Sequence, residues 1–395
     1  MKNIICCLYI RVLFFTNPFS DLSTEAQQIG NTRKFVFDKD TAAVKLILDN
    51  IIEQFISANK NIPSIILLVE TPNFKWKGAV GYSNPAKGIK AAPDDLFYIA
   101  STAKPMTAAI ILKLFEENKL DLDDKISVHL PDEIMSRLHI LNNHDYSDSI
   151  TIRQLLNHTS GIGDNWSNSN FLISVLTDTS KFWKPEETIE FVKNNVPPLS
   201  IPGKEFHYSD INYNLLGLII EKVEEEKLTA VFRKYLFDPL AMQNTYRPFY
   251  ENPDLLKISN TKSVSLLGDI DYSSFRSMTA DWAGGGLVSN MEDMNKFIRA
   301  LFNGKIFNNK NTLNEMQRWL NINKTMNYGL GLAMDNLDNE EENGITGELI
   351  GHTGASGAFM FYWKEKEISI CGTINQVADE TKIGDLISKI LMALK

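Results

Sequence analysis

Two β-rich runs near the start of this chain are matched by two more at its end, and the stretch between them is mostly helical in pattern. "IPSIILLVE" and "FKWKGAVGYSN", joined at Pro72 and Asn73, predict a hairpin. "LIGHTGASGAFMFYWKEKEISICGTIN" predicts two more strands about its Lys-Glu-Lys-Glu turn. This order points to one mainly antiparallel sheet assembled from the two chain ends, with a mostly helical domain inserted between them. Such a sheet exposes one face unless helices cover it. The covers are predicted at the ends: Val44, Ile47, Leu48, Ile51, Ile52 and Phe55 recur at helical spacing, as do Ile383, Leu386, Ile387, Ile390, Leu391 and Leu394. The fold class is therefore α/β in its α+β form. Sheet segments are expected at about 40–100 and 285–395, and helical segments at about 101–284, within one unit over 31–395.

Composition excludes some partners. The 395 residues carry a formal charge of -9 without a Lys/Arg-rich run, so no nucleic acid is expected. No stretch reaches the roughly 20 apolar residues of a membrane span. Residues 1–30 combine Lys2, an apolar segment broken by Arg11 and a weak cleavage site near Ala26, which gives an expectation of export through a leader. Removal of that leader would leave Cys371 alone and rule out disulfides. Cys371 itself reads as a buried, inert thiol.

Ser-x-x-Lys occurs three times, at Ser57, Ser101 and Ser259. Ser57 lies at a fraying helix end and Ser259 in a polar connection, and both read as exposed. Ser101 follows the strand-like "LFYIA" and opens a helix that is apolar almost all round to Phe115, so it should be buried. Residues three apart share a helix face, and Pro105 falls in the first turn, where a missing amide is tolerated. Lys104 should be desolvated, which lowers an amine's pKa and makes it a base. On this segment alone, a capping serine beside a snorkelling lysine is an equal reading.

Two further segments decide between them. In "KEFHYSDINYNLLGLIIEKV", Tyr208 stands in a loop before an apolar helix. In "GHTGASGAFMFYW", His352, Thr353 and Gly354 open a strand whose small residues let a ligand approach the backbone. Ser-x-x-Lys, Tyr-Ser-x and His-Thr-Gly in this order resemble the serine β-lactamase and penicillin-binding protein superfamily, on its class C β-lactamase and D-alanyl-D-alanine carboxypeptidase side. "LLNHTSGI", "KLDLDDKISVHLP" and "AGGGLVS" add to the likeness, which spans about Pro63 to the C-terminus.

The resemblance implies that Ser101 is acylated, that Lys104 and Tyr208 share the proton transfers, and that His352 faces the site from an edge strand. It places the oxyanion hole at the amides of Ser101 and Ala355, with Asp210, Thr353 and Gly354 on the substrate side. Tyr208 could shuttle at neutral pH if Lys104 and a protonated His352 depressed its pKa of about 10. The third residue of the tyrosine motif is Asp210 where the family usually has Asn. Either Asp210 turns away from Lys104, or it is protonated, or Tyr208 carries more of the base role. His352 in place of the usual Lys makes efficient β-lactam hydrolysis a weaker expectation.

Other candidates read as structural. His158-Thr159-Ser160-Gly161 is a turn beneath the site, and Ser356 sits inside a strand without an elbow's glycine spacing. His139, His144 and Asp145 form a surface loop rather than a metal site. Trp166 and Trp183 either shape a pocket or pack, and Gly284, Gly285 and Gly286 form a close-packed turn. The expectation is a serine hydrolase without metal or cofactor. It acts on a small-molecule or peptide substrate: a D-alanyl peptide or D-amino-acid peptide, then an ester, lactone or β-lactam. A catalytically silent penicillin-binding domain is the reading from another class.

Overall fold

A computed structural model describes residues 41–339, 344–377 and 380–395. The expected leader at 1–30 lies outside them. Nine antiparallel strands form the main sheet: β1 (Ser64–Glu70), β2 (Lys75–Asn84), β3 (Ile89–Lys90), β4 (Leu320–Asn321), β5 (Met326–Tyr328), β6 (Ala333–Asn336), β7 (Glu348–Thr353), β8 (Ala358–Trp363) and β9 (Ile368–Thr373). Their order is β4-β5-β6-β7-β8-β9-β1-β2-β3. The two chain ends thus meet inside the sheet, with Ile66 opposite Thr373 and Glu70 opposite Ser369. The β1–β2 turn closes where Pro72 and Asn73 predict it, with Thr71 Oγ1 accepting from the Asn73 and Phe74 amides at 3.1 Å each.

Strand residues point alternately to opposite faces. Ile65, Leu67, Val69, Phe359, Phe361 and Trp363 pack on one face against α1 (Thr41–Ala58) and the C-terminal helix α5 (Glu380–Leu394). Ile66, Leu68, Met360, Tyr362 and Cys371 join the larger core on the other face. That core includes α2 (Lys104–Glu116), α3 (Asp210–Glu224) and α4 (Met291–Phe302). A sheet buried on both faces explains why its strands are apolar at successive positions.

Three local features of the fold matter. Ser101 lies not in the α-helix but in a 3-10 turn, Ala100–Ala103, and α2 begins at Lys104 with Pro105 in its first turn. The cap of α4 is Asn290, whose side chain accepts from the Asp293 amide at 2.9 Å, while Ser289 is paired with Thr245 Oγ1 at 2.8 Å. Strands β4 to β6 extend the sheet beyond β7, and they are too short for an alternating pattern to stand out in sequence.

A short antiparallel pair sets the site. Phe97 faces Ser289 and Tyr98 faces Val288, and the Ile99 amide donates to Leu287 O at 3.1 Å. This ties the turn bearing Ser101 to the glycine-rich turn before α4.

Leu48 is fully buried between α1 and the sheet. Leu48→Ala is expected to cost about 2–5 kcal/mol through lost transfer energy and a residual cavity. Urea unfolding of the two proteins side by side checks this.

Candidate active site

The nucleophile candidate is presented by a strained turn. Ala100 has φ 45°, in the left-handed region, and the Thr102 hydroxyl donates to Ile99 O at 2.7 Å. Ser101 emerges half-buried at the head of α2. Lys104, one turn on, is fully buried. Its Nζ lies 2.9 Å from Ser101 Oγ and 2.9 Å from Gly284 O, and it forms an ion pair with Asp210 Oδ1. An ammonium has three donors and no acceptor. Here each donor has an acceptor, one from each of three distant segments.

This answers the question raised by Asp210. The carboxylate turns toward Lys104, and its own amide donates to Asp164 Oδ1 at 2.9 Å. The nitrogen that the sequence reading casts as a free base is thus in an ion pair, and Ser101 Oγ and Gly284 O take its remaining directions.

Tyr208 is placed by the loop before α3, and that loop rests on His158. His158 has φ 57°, and its Nδ1 accepts from the Ser209 amide at 3.2 Å and faces Asn212 Nδ2 at 3.1 Å. The His158 and Tyr208 rings are 4.2 Å apart. Ser160 Oγ donates to Asn212 Oδ1 at 2.7 Å, so the His-Thr-Ser-Gly segment is the supporting turn that its sequence suggests. Lys104 Nζ sits 5.0 Å from the centre of the Tyr208 ring and 5.4 Å from that of Tyr213.

The sequence reading expects cations to depress the Tyr208 pKa. Instead, burial first and the Asp210 charge second push it well above its ordinary value, with the Ser101 side chain opposing them by a hydrogen bond. Tyr208 rests as a neutral phenol.

His352 ends β7 beside these groups. β6 pairs with β7 only from Glu348 to Gly351, so His352 and Thr353 run past it in a sheet-interior strand whose end is a local edge. Its Nδ1 is 2.5 Å from Thr353 O and its Nε2 is 3.1 Å from the Tyr328 hydroxyl. Burial, and then the Lys104 charge, lower its pKa to about 3. The imidazole is neutral at physiological pH, which corrects the expectation of a protonated His352 that depresses Tyr208.

The turn after β7 lies against the Ser101 turn. A Cβ on Gly354 would come within 2.3 Å of Ile99 O, and Ser356 Oγ donates to Tyr98 O at 2.6 Å. Ser356 is thus in the turn rather than inside a strand, and its hydroxyl ties that turn, which includes the exposed Ala355, to the strand before Ser101.

Sequence reasoning missed two carboxylates and a carbonyl. Asp164 and Asp281 are half-buried near Asp210. Burial, then the Asp210 charge, raise their pKa values to about 8 and about 7. Gly284, read as a packing glycine, supplies the carbonyl that receives Lys104. The available signal was an Asp three residues past "HTSG" and another just before "WAGGG".

The remaining candidates sort as follows. Ser57 and Ser259 are exposed, as expected. His139 is buried rather than on a surface loop, with Nε2 2.9 Å from Ser200 O. Trp166 and Trp183 pack around Phe171, with ring centroids 5.3 and 5.0 Å away. Among the described residues no group of three His, Cys, Asp or Glu could hold a metal ion, and no helix is long and apolar enough to cross a membrane.

An antiparallel sheet covered by terminal helices, with these three motifs meeting where the strand end of β7 approaches the head of α2, is the β-lactamase/transpeptidase-like architecture. The Beta-lactamase family model matches residues 48–389, and the chain belongs to that family. It is 32% identical over 201 residues to Protein flp of Staphylococcus aureus (strain MW2), covering 50% of this chain and 37% of that protein. The match thus spans little more than a third of that relative's length. N-acetylmuramyl-L-alanine amidase of Bacillus subtilis (strain 168) is 26% identical over 325 residues, covering 74% of this chain and 71% of that protein. Among solved structures, a D-stereospecific amidohydrolase from Streptomyces sp. superposes with a TM-score of 0.72 at 25% identity over 88% of this chain and 98% of that one. The D-amino acid amidase from Ochrobactrum anthropi SV3 shares the fold, with a TM-score of 0.74 at 22% identity over 89% and 98% of the two chains.

The depressed His352 pKa has a consequence for stability. Below about pH 6.5 the unfolded imidazole takes up a proton that the folded one refuses, so stability present above that pH is lost as pH falls toward 3. His352→Gln should flatten this acid limb. Denaturant midpoints of both proteins at pH 4.5 and 7.5 test it, and parallel losses would refute the assignment.

Proposed function

We propose that this protein is a serine hydrolase that cleaves amide or ester bonds through an acyl-enzyme on Ser101, with amides and short peptides of D-amino acids as its substrate class. The observation that carries the reading is the 2.9 Å contact between the buried Lys104 Nζ and Ser101 Oγ, with the Tyr208 ring centre 5.0 Å from the same nitrogen. The amidohydrolase and amidase among its relatives support the same side of the family. The neutral His352 weighs against a carboxypeptidase, which needs a cation for the terminal carboxylate.

The proton inventory assigns the roles. Lys104, placed between Ser101 Oγ, Asp210 and the Gly284 carbonyl, donates to Ser101 Oγ. As Ser101 Oγ attacks the carbonyl carbon, its proton passes to Tyr208 Oη, while Tyr208 hands its own proton to the departing nitrogen. No free phenolate is required, which suits a phenol whose ionisation is disfavoured. The ammonium stabilises the alkoxide character that develops on Ser101, and the amides of Ser101 and Ala355 receive the oxyanion. Water then repeats the sequence in reverse on the acyl-enzyme. In this reading Asp210 fixes the charge and place of Lys104.

Ser101→Ala is expected to abolish turnover of p-nitrophenyl acetate and of D-alanine p-nitroanilide, and fluorophosphonate should label Ser101 in intact-mass analysis. Tyr208→Phe should lower kcat by about 10²–10⁴-fold. Retained turnover in Ser101→Ala would sink the proposal. A penicillin adduct that never leaves, without any ester turnover, would favour the silent binder.

A further inference from the structure

An acyl-transfer site must hold the rest of its substrate as well as the reacting carbonyl, and the charges left over from the chemistry describe that rest. Three carboxylates, Asp164, Asp210 and Asp281, surround the single ammonium of Lys104. Asp210 is committed to Lys104. Asp164 is committed to the backbone, accepting from the Asp210 amide at 2.9 Å and the Ser167 amide at 3.1 Å. Asp281 differs from both. Burial and the charges of Asp210, Lys104 and Arg247 act on its carboxylate, and among the described residues no hydrogen bond reaches it.

Its position is adjacent to the nucleophile. A Cβ on Gly285 would lie 2.1 Å from Asp281 Oδ2 and 2.8 Å from the carbonyl carbon of Ala100, so the carboxylate abuts the residue before Ser101. A Cβ on Gly284 would lie 3.0 Å from Asp210 Oδ1 and 3.4 Å from Asp281 Oδ1. One glycine therefore separates Asp281 from the ion pair that touches Ser101 Oγ. Gly284 and Gly285 are buried without side chains, and the half-buried Asp281 carboxylate takes the space a Cβ at 285 would need. Arg247, the other cation nearby, is buried and turned to the Trp282 and Gly286 carbonyls.

We propose that Asp281 is the specificity-determining residue of this site and receives the free α-ammonium of the acyl donor, so that the enzyme takes amino-acid amides and unblocked peptide N-termini in preference to N-acylated donors. This rests on Ser101 being the acylated nucleophile. An α-ammonium is two bonds from the carbonyl carbon that Ser101 attacks, which suits a carboxylate lodged against the nucleophile's own turn. An ammonium–carboxylate hydrogen bond is charge-assisted and therefore strong. A cation at the end of a long substrate side chain would fall several ångströms farther off.

The charge environment agrees. Asp210 from α3, Lys104 from α2, Tyr208 from the loop before α3, and Arg247, Tyr98 and Tyr272 from the surrounding segments interact with Asp281. Burial and Asp210 hold its carboxyl near 7, so binding of an ammonium should strengthen as pH rises through neutrality. The gain ends when the substrate amine itself deprotonates, at about pH 8.

The test compares D-alanine p-nitroanilide with N-acetyl-D-alanine p-nitroanilide on the full chain, on Asp281→Asn and on Asp281→Glu. The wild type should prefer the free amine. Asp281→Asn should lose about tenfold to hundredfold of that preference, chiefly through KM, while Asp281→Glu keeps most of it. An unchanged preference in Asp281→Asn, a wild-type preference for the acetylated substrate, or ester turnover without any turnover of the free amine overturns the proposal. If Asp281→Asn does not fold, the wild-type KM between pH 6 and 7.5 decides. A fall for the free amine with a level value for its acetylated partner supports Asp281, and parallel behaviour removes it. Ester turnover that survives Ser101→Ala would instead defeat the underlying hydrolase reading, a separate result.

Discussion

The site is built around one buried positive charge. The Lys104 ammonium has no solvent contact, and removing such a charge from water costs several kcal/mol unless good geometry and further hydrogen bonds compensate it. Compensation comes from the Ser101 turn, from Asp210 at the head of α3 and from the Gly284 carbonyl before α4. Asp210 and Gly284 lie 106 and 180 residues beyond Lys104 in the chain, and no one segment satisfies the charge alone. Folding of the helical region and assembly of the site are thus coupled. The Phe97–Ser289 and Tyr98–Val288 pairing brings two of the three contributors together, and the His158 turn under Tyr208 and α3 supplies the other.

Backbone strain is concentrated at the same place. Ala100 and Trp282 both have positive φ, at 45° and 24°, and each immediately precedes or opens a turn that touches Lys104. Strained residues persist only where the surroundings over-determine them. At Trp282 those surroundings are visible: Arg247 donates to its carbonyl, and Thr107 Oγ1 on α2 donates to Ala283 O at 2.7 Å. A carbonyl aimed at a lysine is a demanding arrangement, because the turn must present its backbone inward. Glycines at 284 and 285 permit it, since a Cβ at 285 would collide with both Asp281 and Ala100.

The framework was legible in sequence because it rests on period and length. The covering helices, the β1–β2 hairpin and the strands on either side of Lys364–Glu367 carry their apolar residues at spacings that identify them. The order of the three motifs also located Ser101, Lys104, Tyr208 and His352, which the fold gathers in one region. Charge state was not legible, since it depends on which groups share a cavity rather than on any local pattern. A buried lysine next to a serine reads as a neutral base until a carboxylate is placed on its nitrogen. A histidine opening a strand reads as a cation until burial and a neighbouring ammonium are counted. The short strands β4 to β6 escaped for a different reason, as two to four residues hold too little alternation to register.

These corrections act together on the electrostatics of the cleft. With Lys104 neutral and His352 charged, as the sequence suggests, the site would offer a free cation at the end of β7 and suit a substrate carboxylate. With Lys104 paired to Asp210 and His352 neutral, that cation is gone. Asp164 and Asp281 each resist ionisation, first because they are buried and then because of the Asp210 charge. Asp210, where the family resemblance leads to an expectation of Asn, therefore does more than accept one hydrogen bond. It holds Lys104 in an ion pair and, second to burial, raises the pKa of the carboxyls on either side.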